Sequence, residues 1–319
     1  AANVLDVNYQ NTIADNQILY VRLEVDETGC YATTTQELIV HPIPTVLVGP
    51  AYEVCDDDYD GIGSYDLSTL DETLLDGQTG VSISYYESQE DADNAANVLD
   101  VNYQNTIADN QILYVRLEVD ETGCYATTTQ ELIVHPLPEI IIPTPLEECD
   151  DDYDGIVSFF DLSQKTEEIL NGQTGISVSY YETIENAESS ENPIEALYTN
   201  IEVDNQILYV RLEVDETGCY ATTTQELIVH PIPTVLVGPA YEVCDDDYDG
   251  IGSYDLSTLD ETLLDGQTGV SISYYESQED ADNAANVLDV NYQNTIADNQ
   301  ILYVRLEVDE TGCYATTTQ

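Results

Sequence analysis

Apolar and polar residues alternate strictly through Ile112-Leu113-Tyr114-Val115-Arg116-Leu117-Glu118-Val119. Leu113, Val115, Leu117 and Val119 share one face; Tyr114, Arg116 and Glu118 share the other. A period of two predicts a strand buried on one side. Val81, Ile83 and Tyr85 alternate with Ser82, Ser84 and Tyr86 in the same way. Asp120-Glu121-Thr122-Gly123 reads as a short turn with glycine for positive φ, and Cys124–Val134 as the returning, threonine-rich strand. Thr45–Val48 and Tyr52–Val54 give an opening strand. Two short stretches read as helical: Ser68–Leu75 ahead of Gly77, and Ser88 to about Ala96. Each opens on Ser-x-x-Asp, a pattern in which the serine hydroxyl caps the first turn.

The same pattern recurs down the chain. Cysteines stand at 30, 55, 124, 149, 219, 244 and 313, two interleaved sets with steps of 94 and 95 residues. Residues 43–130 recur letter for letter at 232–319, with a diverged copy between them. About seven short strands per unit, repeated in tandem, predict an all-β fold: an array of immunoglobulin-like β-sandwich domains of about 94–95 residues. The repeats of a β-solenoid are much shorter.

The unit boundary is His-Pro-x-Pro, at His41–Pro44, His135–Pro138 and His230–Pro233. Proline fixes φ and restricts the residue before it, so this is a stiff, extended connector. Complete repeats are expected at 43–136 and 137–231. Residues 1–42 read as the C-terminal part of a repeat, and 232–319 as a repeat lacking its last strand. The chain is thus expected to be a window from something longer. No signal peptide or membrane-spanning run is visible, and a mid-chain window would show none.

Composition narrows the class. The chain carries 64 acidic residues against 5 basic ones, a formal charge of −59. Nucleic acid and anionic membrane surfaces are excluded as partners, since both require a basic face. Such charge keeps a protein soluble but repels itself in the compact state, which points to divalent cations as an offset. An apolar content of 42% and 25 tyrosines argue against disorder.

The sharpest chemical motif is Asp56-Asp57-Asp58-Tyr59-Asp60-Gly61, which recurs at Asp150–Gly155 and Asp245–Gly250. Aspartate at positions 1, 3 and 5 with glycine at 6 is the opening half of a calcium loop: hard oxygens suit Ca²⁺, and glycine permits the turn that aims them at one point. The expected ligands are Asp56, Asp58 and Asp60; Asp150, Asp152 and Asp154; and Asp245, Asp247 and Asp249. No glutamate stands at position 12, but an aspartate lies nearby, Asp66 and Asp255 at position 11 and Asp161 at position 12. The flanks are strands, so this is not an EF-hand. The competing reading is a solvated acidic turn. Mg²⁺ suits a flexible cage of several carboxylates less well than the larger ion.

Paired cysteines in a small β domain favour disulfides and an oxidising compartment over free thiols. Cys55 ends the first strand of its unit and Cys124 begins the last, each about 11 residues from its connector. In a sandwich these strands run parallel along one edge, so the two cysteines are expected at one level. The expected bonds are Cys55–Cys124, Cys149–Cys219 and Cys244–Cys313, with the partner of Cys30 outside the window. That pairing would bring the acidic turn, Asp120 and Glu121, beside the calcium loop of the same unit. Zinc is disfavoured because no Cys-x-x-Cys is present. Arg22, Arg116, Arg211 and Arg305, one per unit and mid-strand, are expected in cross-strand ion pairs. His41, His135 and His230 read as connector residues. Lys165 is the sole lysine, so a lysine–asparagine crosslink is not open to every unit. No nucleophile–base pair, phosphate loop or cofactor fingerprint is present, and no enzymatic activity is expected.

Together these motifs resemble repeats of very large Bacteroidetes surface proteins: Cys55–Gly61 followed by Asp66-Leu67, residues 78–88, Ile112–Arg116 and Thr122–Tyr125. Those include gliding-motility adhesins, related type 9 secretion substrates and grappling-hook filaments. The resemblance implies a secreted, extracellular cell-surface, non-enzymatic filament serving adhesion or gliding motility. Its expected partners are identical chains within a filament, with surface glycans, prey or substratum engaged by regions outside this window. A second class is a multivalent glycan- or protein-binding array using Tyr86, Tyr114 and Tyr125. A third is the stalk of a secreted enzyme.

Overall fold

The computed structural model describes residues 4–319. It forms two compact units, one extending to Leu137 and the other covering Pro138–Gln319.

The first unit opens on an antiparallel hairpin, β1 (Asn16–Glu24) and β2 (Tyr31–Ile39). Nearly every residue of this hairpin is exposed. The following sandwich contains β3 (Tyr52–Cys55), β4 (Ser64–Asp66), β5 (Val81–Tyr86), β6 (Asn102–Gln104), β7 (Asn110–Val119) and β8 (Tyr125–His135). One sheet has the order β3-β8-β7-β5, and β4 pairs with β6 in the other. β8 runs antiparallel to β7 and parallel to β3, the edge arrangement of an immunoglobulin-like sandwich. Leu113, Val115 and Leu117 are fully buried, as their alternation predicts, and pack with Leu67, Tyr85 and Leu132.

The second unit repeats this plan. β9 (Leu146–Cys149), β10 (Phe160–Asp161), β11 (Ile176–Tyr181), β12 (Leu197–Tyr198), β13 (Asn205–Val214) and β14 (Tyr220–His230) reproduce both sheets. β15 (Ser253–Asp255), β16 (Val270–Tyr275), β17 (Asn291–Gln293), β18 (Tyr303–Val308) and β19 (Tyr314–Thr318) form the third copy. Its larger sheet has three strands, β16-β18-β19.

Two local details differ from the sequence pattern. Thr45–Val48 is not a strand: two prolines flank it, and Gln78 binds both polar groups of the Thr45 backbone, each at 2.9 Å. The first helical stretch is a 3₁₀ turn, Leu67–Leu70, continued by a short α-helix, Asp71–Leu75. Its cap is Asp66 rather than Ser68; the Asp66 carboxylate accepts from the Ser68 N–H at 3.1 Å and its hydroxyl at 2.6 Å. The second helix, Gln89–Asn94, is capped by Ser88.

Buried phenols brace each core. Tyr180 donates to the Leu162 carbonyl at 3.0 Å, and burial pushes its pKa up to about 12. Tyr65 stacks edge-to-face on Tyr52 at 5.1 Å; burial first, then Tyr52, also raises it to about 12. A folded pKa above the unfolded value means the native state holds the proton more tightly. The stabilisation is therefore complete below about pH 10 and is lost as pH rises through 12. Each such tyrosine is expected to remove about 2–3 kcal/mol over that window. Alkaline titration followed by tyrosinate absorbance and circular dichroism should show ionisation and unfolding together; free ionisation near pH 10 of a folded chain would refute it.

Candidate inter-repeat junction

Cys149 and the Asp-rich loop 150–155 are adjacent in sequence but far from the connector at His230–Pro233, and β9 explains why they meet it. β9 lies parallel to β14, with Leu146 opposite Leu227 and Cys149 opposite His230. Cys149 therefore sits where β14 leaves its repeat. The Asp150 N–H donates to the His230 carbonyl at 2.9 Å, and the His230 ring meets Glu147 at 2.7 Å.

Cys149 is bonded to Cys313, 164 residues away, with Cα atoms 5.5 Å apart. The bond crosses from one repeat to the next. This corrects the within-repeat pairing expected from the sequence. Cys149–Cys219 and Cys244–Cys313 are not formed, and neither is Cys55–Cys124. Cys124 and Cys244 are free thiols, as is Cys30, whereas Cys55 and Cys219 are disulfide-bonded. The physical reason is strand direction. In parallel strands, the end of one lies level with the end of the other. Cys149 ends β9, while Cys219 precedes β14, whose 11 residues span about 36 Å at 3.3 Å each. Equal distance from the connector thus puts the two cysteines at opposite ends of the sandwich. The acidic turn of the same repeat lies at that far end too, where Asp215 accepts from Ser177 at 2.6 Å. The expectation that it sits beside its own Asp-rich loop fails for the same reason.

The loop itself is tightly organised. Asp150 is buried, and its carboxylate accepts from the N–H groups of Asp152 and Tyr153 at 3.0 Å and Gly155 at 2.9 Å. Burial alone would raise its pKa, but the backbone donors outweigh it and hold the group below the ordinary value. Asp152 is pushed the other way, by shielding from water and then by the charge of Asp154. Asp58 is raised by the same causes, with Asp60 as its neighbour, and Asp247 chiefly by its hydrogen bond to Asp249. The equivalents Asp56 and Asp245 are lowered. Each loop therefore crowds carboxylates together.

Carboxylate oxygens of Asp56, Asp58 and Asp60 lie within 4.8 Å of one another. The other two loops group Asp150, Asp151 and Asp152, and Asp245, Asp246 and Asp247. Oxygens held at about 2.3–2.6 Å from one calcium ion are separated by no more than about 5 Å, so the donor sets fit such an ion. Asp60, Asp154 and Asp249 each accept from an N–H two residues on, those of Ile62, Ile156 and Ile251, at 2.7, 2.7 and 2.8 Å. Asp66, Asp161 and Asp255 lie outside the three groups and cap the 3₁₀ turns that follow.

Two functional residues escaped the sequence reading. Tyr153 occupies the left-handed region with φ +73°, a strained conformation for a bulky residue. From there its hydroxyl donates to the Pro233 carbonyl of the following connector at 3.0 Å. A tyrosine inside each acidic run, at 59, 153 and 248, was the available signal. Asn200, also buried, donates to the Gly155 carbonyl at 2.9 Å and accepts from the Val157 N–H at 2.9 Å, fixing the loop's exit. Beside the disulfide, Asp150, Asp151, Tyr153, Arg305, Gly312 and Tyr314 line an open cleft of about 580 Å³.

A bond between repeats is also what the comparisons report. The model of the Flavobacterium inter-domain disulphide bond domain matches residues 1–44, 51–138, 145–233 and 240–319. The chain belongs to this family. No curated protein matches it. Among solved structures, the I67–I69 I-band fragment of titin is 10% identical, over 88% of this chain and 98% of that one, with a TM-score of 0.31. The human desmocollin-1 ectodomain is 15% identical over 96% of this chain, with a TM-score of 0.17, and the chain spans 64% of that ectodomain. Zebrafish RET cadherin-like domains 1 to 4 are 8% identical, over 95% and 82% of the two chains, with a TM-score of 0.19. Among the described residues, no helix is long and apolar enough to cross a membrane.

Proposed function

We propose that the chain is an extracellular structural array: the repeat region of a large secreted surface protein that acts as a disulfide- and calcium-braced rod or filament in adhesion or motility. The observation that carries this reading is the junction, where the Cys149–Cys313 bond, the Tyr153–Pro233 hydrogen bond and a crowded carboxylate loop share one boundary between repeats. At this boundary the first-strand cysteine, Cys149, bonds to the last-strand cysteine of the next repeat, Cys313. Calcium bound by Asp150, Asp151 and Asp152, with the loops at Asp56–Asp60 and Asp245–Asp249 doing the same, would relieve the repulsion within each loop. Three ions would remove six charges from −59, leaving −53, so the effect is local stiffening rather than neutralisation. Such an array has no catalytic task, and its disulfides suit an oxidising compartment.

The test is titration of the chain with calcium. Binding only the native state is expected to add about 2.7 kcal/mol per site when free calcium is a hundred times the dissociation constant. Calorimetry should detect binding, chelator should lower the unfolding temperature, and Asp150→Asn should remove one site. Absence of heat at millimolar calcium, together with an unfolding temperature indifferent to chelator, would make the loops solvated turns.

A further inference from the structure

Tension on a chain of repeats runs along the backbone unless a covalent shortcut exists. The second and third repeats have one. Cys149 and Cys313 are joined with Cα atoms 5.5 Å apart, although their sequence separation is 164. Fully extended, that stretch would reach about 540–590 Å. Its two ends are tied at one point, so a pull applied outside the tie cannot lengthen it.

The tie encloses most of two sandwiches. β9 ends at Cys149, and β19 begins at Tyr314, the residue after Cys313. Strands β10 to β18 all fall between the two cysteines. Of the buried core of the second repeat, only Leu146 lies outside the tie. The buried core of the third, from Leu256 to Leu306, lies wholly inside it. Outside remain β9, a four-residue strand at the edge of its sheet, and β19.

We infer that the Cys149–Cys313 bond is a covalent path for tension, which arrives along β9, crosses the two sulfur atoms and leaves along β19. The two cores it bypasses bear none of the pull. The bond thus does more than brace a junction: it caps how far the pair of repeats can stretch. Forced unfolding is governed by the unfolding rate. A core without tension across it keeps the rate it has at rest. A pull can strip β9 from β14 and β19 from β18, but β14 and β18 stay folded and both strands can return to them. The inference rests on the reading of the chain as an array that is pulled, and it needs no calcium.

The path can be opened chemically. Cys313 is 1% exposed, whereas Cys149 is exposed and lines the open cleft at the junction. A thiol reductant therefore reaches the Cys149 sulfur. A thiolate of dithiothreitol attacks Cys149 Sγ, the bond between the two cysteines breaks, and the electron pair leaves on Cys313 Sγ. The second thiolate of the reductant then displaces Cys149 and closes a cyclic disulfide. The protein disulfide is reduced and dithiothreitol is oxidised. The two cysteine thiolates take up the two protons that the reductant gave up.

The test is force–extension measurement on the 319-residue chain, held at its C-terminus and at an azide-bearing residue in place of Glu139. Glu139 is exposed, and its backbone rather than its side chain bonds Gln173. In the oxidised chain only residues 139–149 and 313–319 can straighten, so the two handles should separate to no more than about 60 Å. Cys149→Ser with Cys313→Ser should add about 540–590 Å, a gain of roughly tenfold. The native chain held under tension in dithiothreitol should gain the same length when the bond opens. This reductant arm keeps the test open if the double variant folds poorly. An oxidised chain that extends as far as the variant overturns the inference, and so does a native chain that gains no length on reduction. Both lengths are expected with or without chelator, so failure of the calcium sites would leave this result unchanged.

Discussion

Replacing Cys149 and Cys313 together by serine is expected to cost up to about 5 kcal/mol, the chain-entropy value for closing a loop of 164 residues. The two repeats should also lose their fixed relation. At the same junction the Tyr153–Pro233 hydrogen bond is worth about 1 kcal/mol. Each sandwich keeps its own core, centred on Leu208, Val210 and Leu212 in one and on Val304 and Leu306 in the other. The double variant should therefore fold, unfold at lower temperature, and scatter X-rays as a broader distribution of inter-repeat distances. Mild reduction of the native chain should reproduce both changes. An unaltered unfolding temperature and scattering profile would mean that the bond is an ornament on a junction held by other forces.

The contrast between what was legible and what was not follows from the range of each signal. Alternation in Ile112–Val119 fixes which side chains face the core, because a strand's period is a local property. The helix at Gln89–Asn94 was equally local, announced by Ser88 and Asp91. Disulfide pairing is not local. It depends on the direction in which two distant strands run, and counting residues from the connector gives the same answer for level and for opposite ends. The Asp-rich loops are legible as motifs, and in the first loop Asp56, Asp58 and Asp60 do come together; the other two loops group Asp150, Asp151 and Asp152, and Asp245, Asp246 and Asp247. Asp161, like Asp66 and Asp255, is drawn off to cap the 3₁₀ turn that follows its loop. Asn200 gave no composition or spacing signal, since its partners, Gly155 and Val157, lie more than 40 residues earlier.

Arg211 shows the same limit. Alternation puts it on the polar face of β13, where a cross-strand ion pair is the natural expectation. The structure instead buries it beneath the helix Ile184–Ser189. Its guanidinium donates to the Ala187 and Glu188 carbonyls at 2.9 and 3.0 Å, lies 3.4 Å from the Tyr220 ring centre, and meets Glu213 two residues along its own strand at 2.7 Å. A cation at the negative end of a helix, bonded to carbonyls that have no partner within the helix, satisfies groups that burial would otherwise penalise. Arg211→Ala is therefore expected to destabilise the repeat by about 2–4 kcal/mol, since two carbonyls lose a charged donor. Arg211→Lys should recover little of it, because one ammonium cannot reach the fork of acceptors and stack on Tyr220 together. Glu213→Gln should cost under about 1 kcal/mol, since that carboxylate is partly solvated. Denaturant unfolding of the three variants, at low and high salt, separates the two accounts. If the carbonyls and ring dominate, the alanine penalty persists in high salt; if it shrinks toward that of Glu213→Gln as salt rises, the ion pair carried the stability and the buried geometry did not.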